Sequence, residues 1–132
     1  MNQEHLIKKA FEAMENAYAP YSNYHVGACL LLKNGTEILG ANVENASFGA
    51  TCCAERNAIF HAYSLGYRKD DMEAIAIVSD GKYLAGPCGI CRQVFSELFP
   101  QKAPIILSNK IETKVTNIDD LLPLQFGIKD VL

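Results

Sequence analysis

The sequence contains no tryptophan, and its 5 prolines and 9 glycines are scattered over 132 residues rather than gathered into a tract. With no linker, repeat or low-complexity segment to divide it, one domain spanning residues 1–132 is expected. There is no run of roughly 18 apolar residues, the length a membrane span needs, and no basic stretch ahead of an apolar one at the start, as a secretory signal has. A soluble, cytoplasmic protein without a membrane partner is the expectation. Basic residues are not in excess either. Lys+Arg 12 against Asp+Glu 15 gives a net charge of −3, which argues against a protein that grips a nucleic acid polymer through its phosphates. Cysteine is sparse and odd in number, 5 in all. Thiols stay reduced inside cells. Cys29, Cys52, Cys53, Cys88 and Cys91 include one Cys-x-x-Cys pair and a distant Cys, a spacing that suits metal chemistry better than a disulfide framework.

What is present organises the chain into alternating elements. Leu6, Ile7, Ala10, Phe11, Met14, Ala17 and Tyr18 recur at three-and-four spacing and predict a helix from Gln3 to Tyr18, stopped by Pro20. Val26, Ala28, Leu30 and Leu32 alternate up to Asn34-Gly35, a dipeptide that favours a type I′ turn, and Ile38 to Val43 follows as the return strand. Cys53 to Leu65, ending at Gly66, and Cys88 to Phe99, between Pro87 and Pro100, read as two further helices. The uninterrupted apolar run Ala74 to Val78 predicts a central strand covered on both faces. Ile105 to Leu107 and Thr113 to Val115 suggest a terminal antiparallel pair, with a short helix near Asp119 to Leu122. The fold class expected is α/β: a three-layer α/β/α architecture around a mixed sheet of about five strands.

Cys88 and Cys91 stand three apart on one side of the first turn of their helix, and Cys53 sits at the start of another. Helix dipoles favour thiolates at both places. Three thiolates chelating one Zn²⁺ leave the fourth tetrahedral position open, as catalytic rather than structural zinc requires. Glu55, two residues after Cys53, is close enough to reach water at such an ion and shuttle protons. Three sulfurs make an anionic centre, and Arg56 is the candidate to offset that charge by donating to the ligand atoms.

Taken together, Cys53-Ala54-Glu55-Arg56 and Pro87-Cys88-Gly89-Ile90-Cys91-Arg92-Gln93 resemble the signature of the cytidine deaminase family. The likeness extends to Ala19-Pro20-Tyr21-Ser22, Val26-Gly27-Ala28, Asn42-Val43-Glu44-Asn45-Ala46 and Leu121-Leu122-Pro123, and so runs over nearly the whole chain. It implies a homotetrameric zinc enzyme of pyrimidine salvage with one Zn²⁺ per chain, whose partner is a small pyrimidine nucleoside. The reaction implied is hydrolytic release of ammonia from cytidine and 2′-deoxycytidine, with Glu55 as the proton carrier. By the same resemblance, Asn42 and Glu44 would hold the ribose hydroxyls, Ala54 would meet the base through its backbone, and Phe126 would reach a neighbouring subunit's site. Tyr24 stands where the family usually has a stacking Phe, and Phe48 where it often has a Tyr, so a ring is kept at both positions.

Blander readings exist for each residue. A Cys-x-x-Cys alone is more often a structural zinc knuckle or redox pair, and Glu55 and Arg56 alone would pass as surface charges. Cys52 reads as a bystander, Cys29 as a small core residue, and His5, His25 and His61 lack ligand spacing. Three alternatives stay open at this point: a deaminase of aminoacyl cytosine nucleoside antibiotics of the blasticidin type, a purely structural zinc module, and, ranked lower, a polynucleotide editor.

Overall fold

The computed structural model describes residues Met1–Leu132. In chain order the elements are α1 (Gln3–Met14), β1 (Val26–Leu32), β2 (Glu37–Ala41), α2 (Ala54–Ser64), β3 (Met72–Ser79), α3 (Gly89–Leu98), β4 (Ile105–Ser108), β5 (Thr113–Thr116) and α4 (Ile118–Leu121). The strands form one sheet in the order β2-β1-β3-β4-β5. Only β3 and β4 run parallel, and β1 pairs antiparallel with both β2 and β3. Because side chains alternate across a strand, Ala28, Leu30, Leu32, Ile75, Ile77, Ile105 and Leu107 face α2 and α3, whereas Cys29, Ala74, Ala76, Val78 and Ile106 face α1. The expected three-layer α/β/α class is what forms, with β3 buried on both sides at the centre. No helix is long and apolar enough to cross a membrane.

Two local expectations are corrected. Helix α1 ends at Met14 rather than Tyr18, although the apolar spacing continues. Tyr18 is drawn into extended pairing instead: its N–H donates to the Asn42 carbonyl at 2.9 Å, and its own carbonyl accepts from Glu44 N–H at 2.8 Å. The β1–β2 turn is not type I′, which needs positive φ at two central residues. Only Gly35 is left-handed, at φ 90°, and its N–H closes onto Leu32 C=O at 2.9 Å while Leu32 N–H bonds Thr36 C=O at 2.9 Å. Gly35 thus follows the turn as the left-handed residue of a three-residue loop rather than sitting within a two-residue one.

The sheet places three chain ends together. Val26 pairs with Ser79 and Gly27 with Ala41, so the start of β1 and the ends of β2 and β3 share one edge of the molecule. Helix α2 begins at that edge because Gly40 lets it approach: a Cβ there would lie 2.4 Å from the Ala54 carbonyl oxygen and 2.8 Å from the Ala58 nitrogen. Those atoms are helix backbone and cannot swing aside. Gly40→Ala is therefore expected to destabilise the protein by about 1–3 kcal/mol, the range for overpacking a tight contact, read as a lowered urea midpoint with an unchanged slope. A midpoint equal to the parent's would show that α2 is not held this closely.

Candidate metal centre and cavity

Cys53 is the N-cap of α2 and Cys88 the N-cap of α3, and neither side chain caps its own helix. Their sulfurs are thereby left free to turn toward each other. Cys91, in the first turn of α3, is fully buried. The Cys53 and Cys88 sulfurs lie 3.8 Å apart and those of Cys88 and Cys91 3.5 Å, and all three fall within 4.8 Å of one another. Zn–S bonds of about 2.3 Å in a tetrahedron require sulfur separations of about 3.8 Å, so the triangle has the dimensions that zinc needs. No histidine, carboxylate or fourth cysteine joins the group. Cys52 and Cys29 stand outside it, and burial pushes the Cys29 thiol up to about 12.

The surroundings of the triangle favour negative charge on it. Arg56 donates from its terminal nitrogen to the Cys53 sulfur at 3.3 Å. Its buried Nε has no hydrogen-bond partner, an orphaned donor beside sulfurs that can become anionic. Burial opposes the guanidinium charge, but Cys53 and Cys91 outweigh it and raise the group's pKa further. The Cys53 thiol is held well below its ordinary value, chiefly by the Cys91 thiol donating to it and, against burial, by Arg56. Cys91 in turn is pushed up, since the pair shares its charge unequally. A dication would take up the charge of both.

Glu55, one residue into α2, is 4% exposed. Burial pushes its carboxyl up to about 7, assisted by the nearby Cys53 charge. It lines a cavity of about 350 Å³ together with Cys53, Cys88, Ala54, Asn42, Glu44 and Tyr24, a volume in the range of small-molecule sites. The resemblance thus named residues that the fold gathers around one space. Asn42 ties down the start of β1: its Oδ1 accepts from Val26 N–H at 2.9 Å and its Nδ2 donates to Tyr24 C=O at 2.8 Å, leaving one amide hydrogen free. Glu44 accepts from Tyr21 N–H at 2.9 Å, Ser22 N–H at 3.2 Å and the Ser22 hydroxyl. The Ser22 hydroxyl above all holds its carboxyl below the usual range.

Phe126 is the exception. It is 59% exposed and lines a separate, larger cavity of about 490 Å³ formed by Leu122–Lys129 with residues of α3 and α4. That space holds none of the sulfurs, so its size does not make it the candidate site. The reading of residues also missed wall members whose side chains carry little chemistry: Val26, Thr51, Ala85 and Gly86. It also missed Arg92, which donates to the Pro87 carbonyl and the Leu121 carbonyl, both at 2.7 Å, and ties the Pro87-Cys88 corner to α4. The place of Arg92 directly after Cys91, within the Pro87-to-Gln93 segment, was the available signal.

An open three-sulfur triangle beside a buried carboxylate defines the class first: a mononuclear zinc enzyme with room for a small molecule. Comparison with known proteins narrows it. Residues 1–107 match the family model described as the cytidine and deoxycytidylate deaminase zinc-binding region. A cytidine deaminase of Halalkalibacterium halodurans is 48% identical over 132 residues, covering 99% of this chain and 98% of that protein. One from Sporosarcina psychrophila is 42% identical, covering 99% and 96%. The crystal structure of cytidine deaminase from Burkholderia pseudomallei superposes with a TM-score of 0.92 at 46% identity, covering 96% of this chain and 100% of that one. The chain belongs to the cytidine and deoxycytidylate deaminase family, whose model is a zinc-binding region, and the triangle of Cys53, Cys88 and Cys91 is able to hold one such ion.

Two substitutions separate ligand from charge balance. Cys91→Ala is expected to lose stoichiometric zinc at any pH. Arg56→Gln should bind zinc normally at pH 8 but more weakly than the parent at pH 6, because removing the cation raises the Cys53 pKa and protons then compete with the metal. Metal content after competition with a chelator at the two pH values measures both. An Arg56→Gln protein with the parent's zinc affinity at pH 6 would remove Arg56 from this role.

Proposed function

We propose that the protein hydrolyses cytidine and 2′-deoxycytidine to uridine and 2′-deoxyuridine, releasing ammonia, and that its 132 residues act as one cytoplasmic catalytic domain. The observation that carries this reading is the position of Glu55, buried in the wall of the cavity onto which the cysteine triangle opens. Zinc held by Cys53, Cys88 and Cys91 supplies Lewis acidity, which makes water a nucleophile at neutral pH. Glu55 accepts the proton from the attacking water and passes it to N3 of the base, so that C4 becomes electrophilic. After addition at C4, the same carboxylate takes the remaining proton from the new C4 hydroxyl and delivers it to the amino group, so the C4–N bond breaks with ammonia as the leaving group and the C4 carbonyl of the uridine product forms. A carboxyl whose proton affinity is raised by burial holds a proton better than an exposed one, which suits the delivering half of this double role.

The remaining wall residues bind. Glu44, kept ionised by Ser22 and Tyr21, is an acceptor for ribose hydroxyls, and Asn42 offers its remaining amide hydrogen beside it. Ala54 is fully buried at the start of α2 with its carbonyl oxygen close to the site of Gly40, so its N–H is the group suited to the base. Tyr24 presents a ring to the pyrimidine. No fourth protein ligand closes the triangle, as a purely structural zinc would require, and whole-chain identity to proteins named cytidine deaminase favours cytidine over an antibiotic substrate.

The decisive experiment is ammonia release with loss of cytidine absorbance, with zinc measured in the same sample. Turnover at one zinc per chain is expected, and Glu55→Gln should keep the zinc while losing at least about 10²- to 10⁴-fold in kcat, the scale of a general acid–base contribution. Substantial activity in zinc-loaded Glu55→Gln would overturn the assignment.

The assembly proposed is a homotetramer with shared sites. Phe48, Leu124, Phe126, Ile128, Val131 and Leu132 are all more than half exposed, an apolar surface that further copies of the chain would bury. Phe126, remote from its own chain's cavity, is then the residue that completes a neighbour's site. Sedimentation of an active sample should give about four times the 14.5 kDa chain mass; full activity in a monomer would refute the shared site.

A further inference from the structure

The cavity wall formed by Tyr24 is itself held by a segment that carries no reactive group. Directly after Tyr24, His25 is locked to Asp80, the first residue beyond β3, by three contacts. His25 N–H donates to Asp80 Oδ1 at 3.0 Å, His25 Nδ1 lies 2.6 Å from Asp80 Oδ2, and Asp80 N–H donates to the His25 carbonyl at 3.2 Å. This extends the β1–β3 ladder one residue beyond the Val26–Ser79 pair. The next residue, Gly81, packs against the aromatic ring. A Cβ on Gly81 would lie 2.7 Å from Tyr24 Cε1 and 3.5 Å from the Tyr24 hydroxyl.

Gly81 is pinned from behind as well. Asn109, 4% exposed at the end of β4, donates from Nδ2 to the carbonyls of Gly81 at 3.3 Å and Lys82 at 3.2 Å, while its Oδ1 accepts from Ile111 and Glu112 N–H. Gly81 N–H donates to Ser79 Oγ at 3.3 Å. The ring therefore cannot gain space by pushing residue 81 away. Any side chain there moves the ring instead.

We infer that the Asp80-Gly81 segment is a positioning element for substrate: Asp80 holds the main chain of Tyr24 through His25, and the bare Cα of Gly81 sets where the Tyr24 ring lies and so how well the cavity takes the pyrimidine. This rests on the cavity being the cytidine site. Neither residue touches the reacting atoms, so their effect falls on KM rather than on chemistry. Both the edge and the hydroxyl of the Tyr24 ring reach residue 81, and the absence of a side chain there is their structural complement.

The test is steady-state kinetics on cytidine with the zinc-loaded protein. Gly81→Ala and Asp80→Ala should each raise KM roughly 3- to 10-fold, the worth of one aromatic contact, with kcat within about twofold of the parent. KM does not depend on the fraction of enzyme that is folded, so partial misfolding cannot imitate this split. In a Tyr24→Leu background, which raises KM by itself, Gly81→Ala should add little, because the ring through which it acts is gone. An unchanged KM in Gly81→Ala, or the same KM increase with and without the Tyr24 ring, would overturn the inference while leaving the deaminase reading intact. A parent protein that does not turn over cytidine would overturn both.

Discussion

The charge that three sulfurs carry when crowded within 4.8 Å is the constraint on which the rest of this structure depends. Thiolates at that spacing repel, and the protein answers with positive potential from three sources. The amino ends of α2 and α3 meet at the cluster, with Cys53 and Cys88 as their N-caps, and Arg56 donates directly to the Cys53 sulfur. A metal dication completes the balance. Each source needs its helix to start at one place and point one way, which is why Gly40, though it touches no ligand atom, belongs to the design of the centre.

The cavity inherits its shape from the same meeting of chain ends. Where β1 begins and β2 and β3 finish, backbone groups have run out of ladder partners, and side chains supply them. Asn42 satisfies Val26 and Tyr24, Glu44 satisfies Tyr21 and Ser22, and Asp80 satisfies His25. The polar atoms that tie the strand ends together therefore lie in or beside the wall of the cavity. Function placed at such a junction costs little extra order. The residues must be held in position for the sheet to end properly.

How much was legible in advance followed from the range of the interactions. The three cysteines, Glu55 and Arg56 lie in two short segments whose spacing within a helix turn is itself the chemistry, so they could be named from the chain alone. The strands of the core were equally plain, because alternation and the apolar run of Ala74 to Val78 are local patterns. The end of α1 and the form of the β1–β2 turn were misread for the opposite reason. Tyr18 leaves helical spacing only because Asn42 and Glu44, far along the chain, offer it hydrogen bonds, and Asn34-Gly35 takes the turn that the strand register demands.

The sequence by itself determined that this is a zinc-binding α/β protein of the deaminase type, because ligand identity, helix starts and strand periodicity are properties of contiguous residues. Only the tertiary structure decided which polar residues face the cavity, that Phe126 stands away from it, and that Asp80, Gly81 and Asn109 support the ring of Tyr24. Those contacts join residues 27 to 57 positions apart, from Asn109–Lys82 to Tyr24–Gly81. No local pattern encodes such pairs, because what brings them together is burial of the two apolar faces of one sheet.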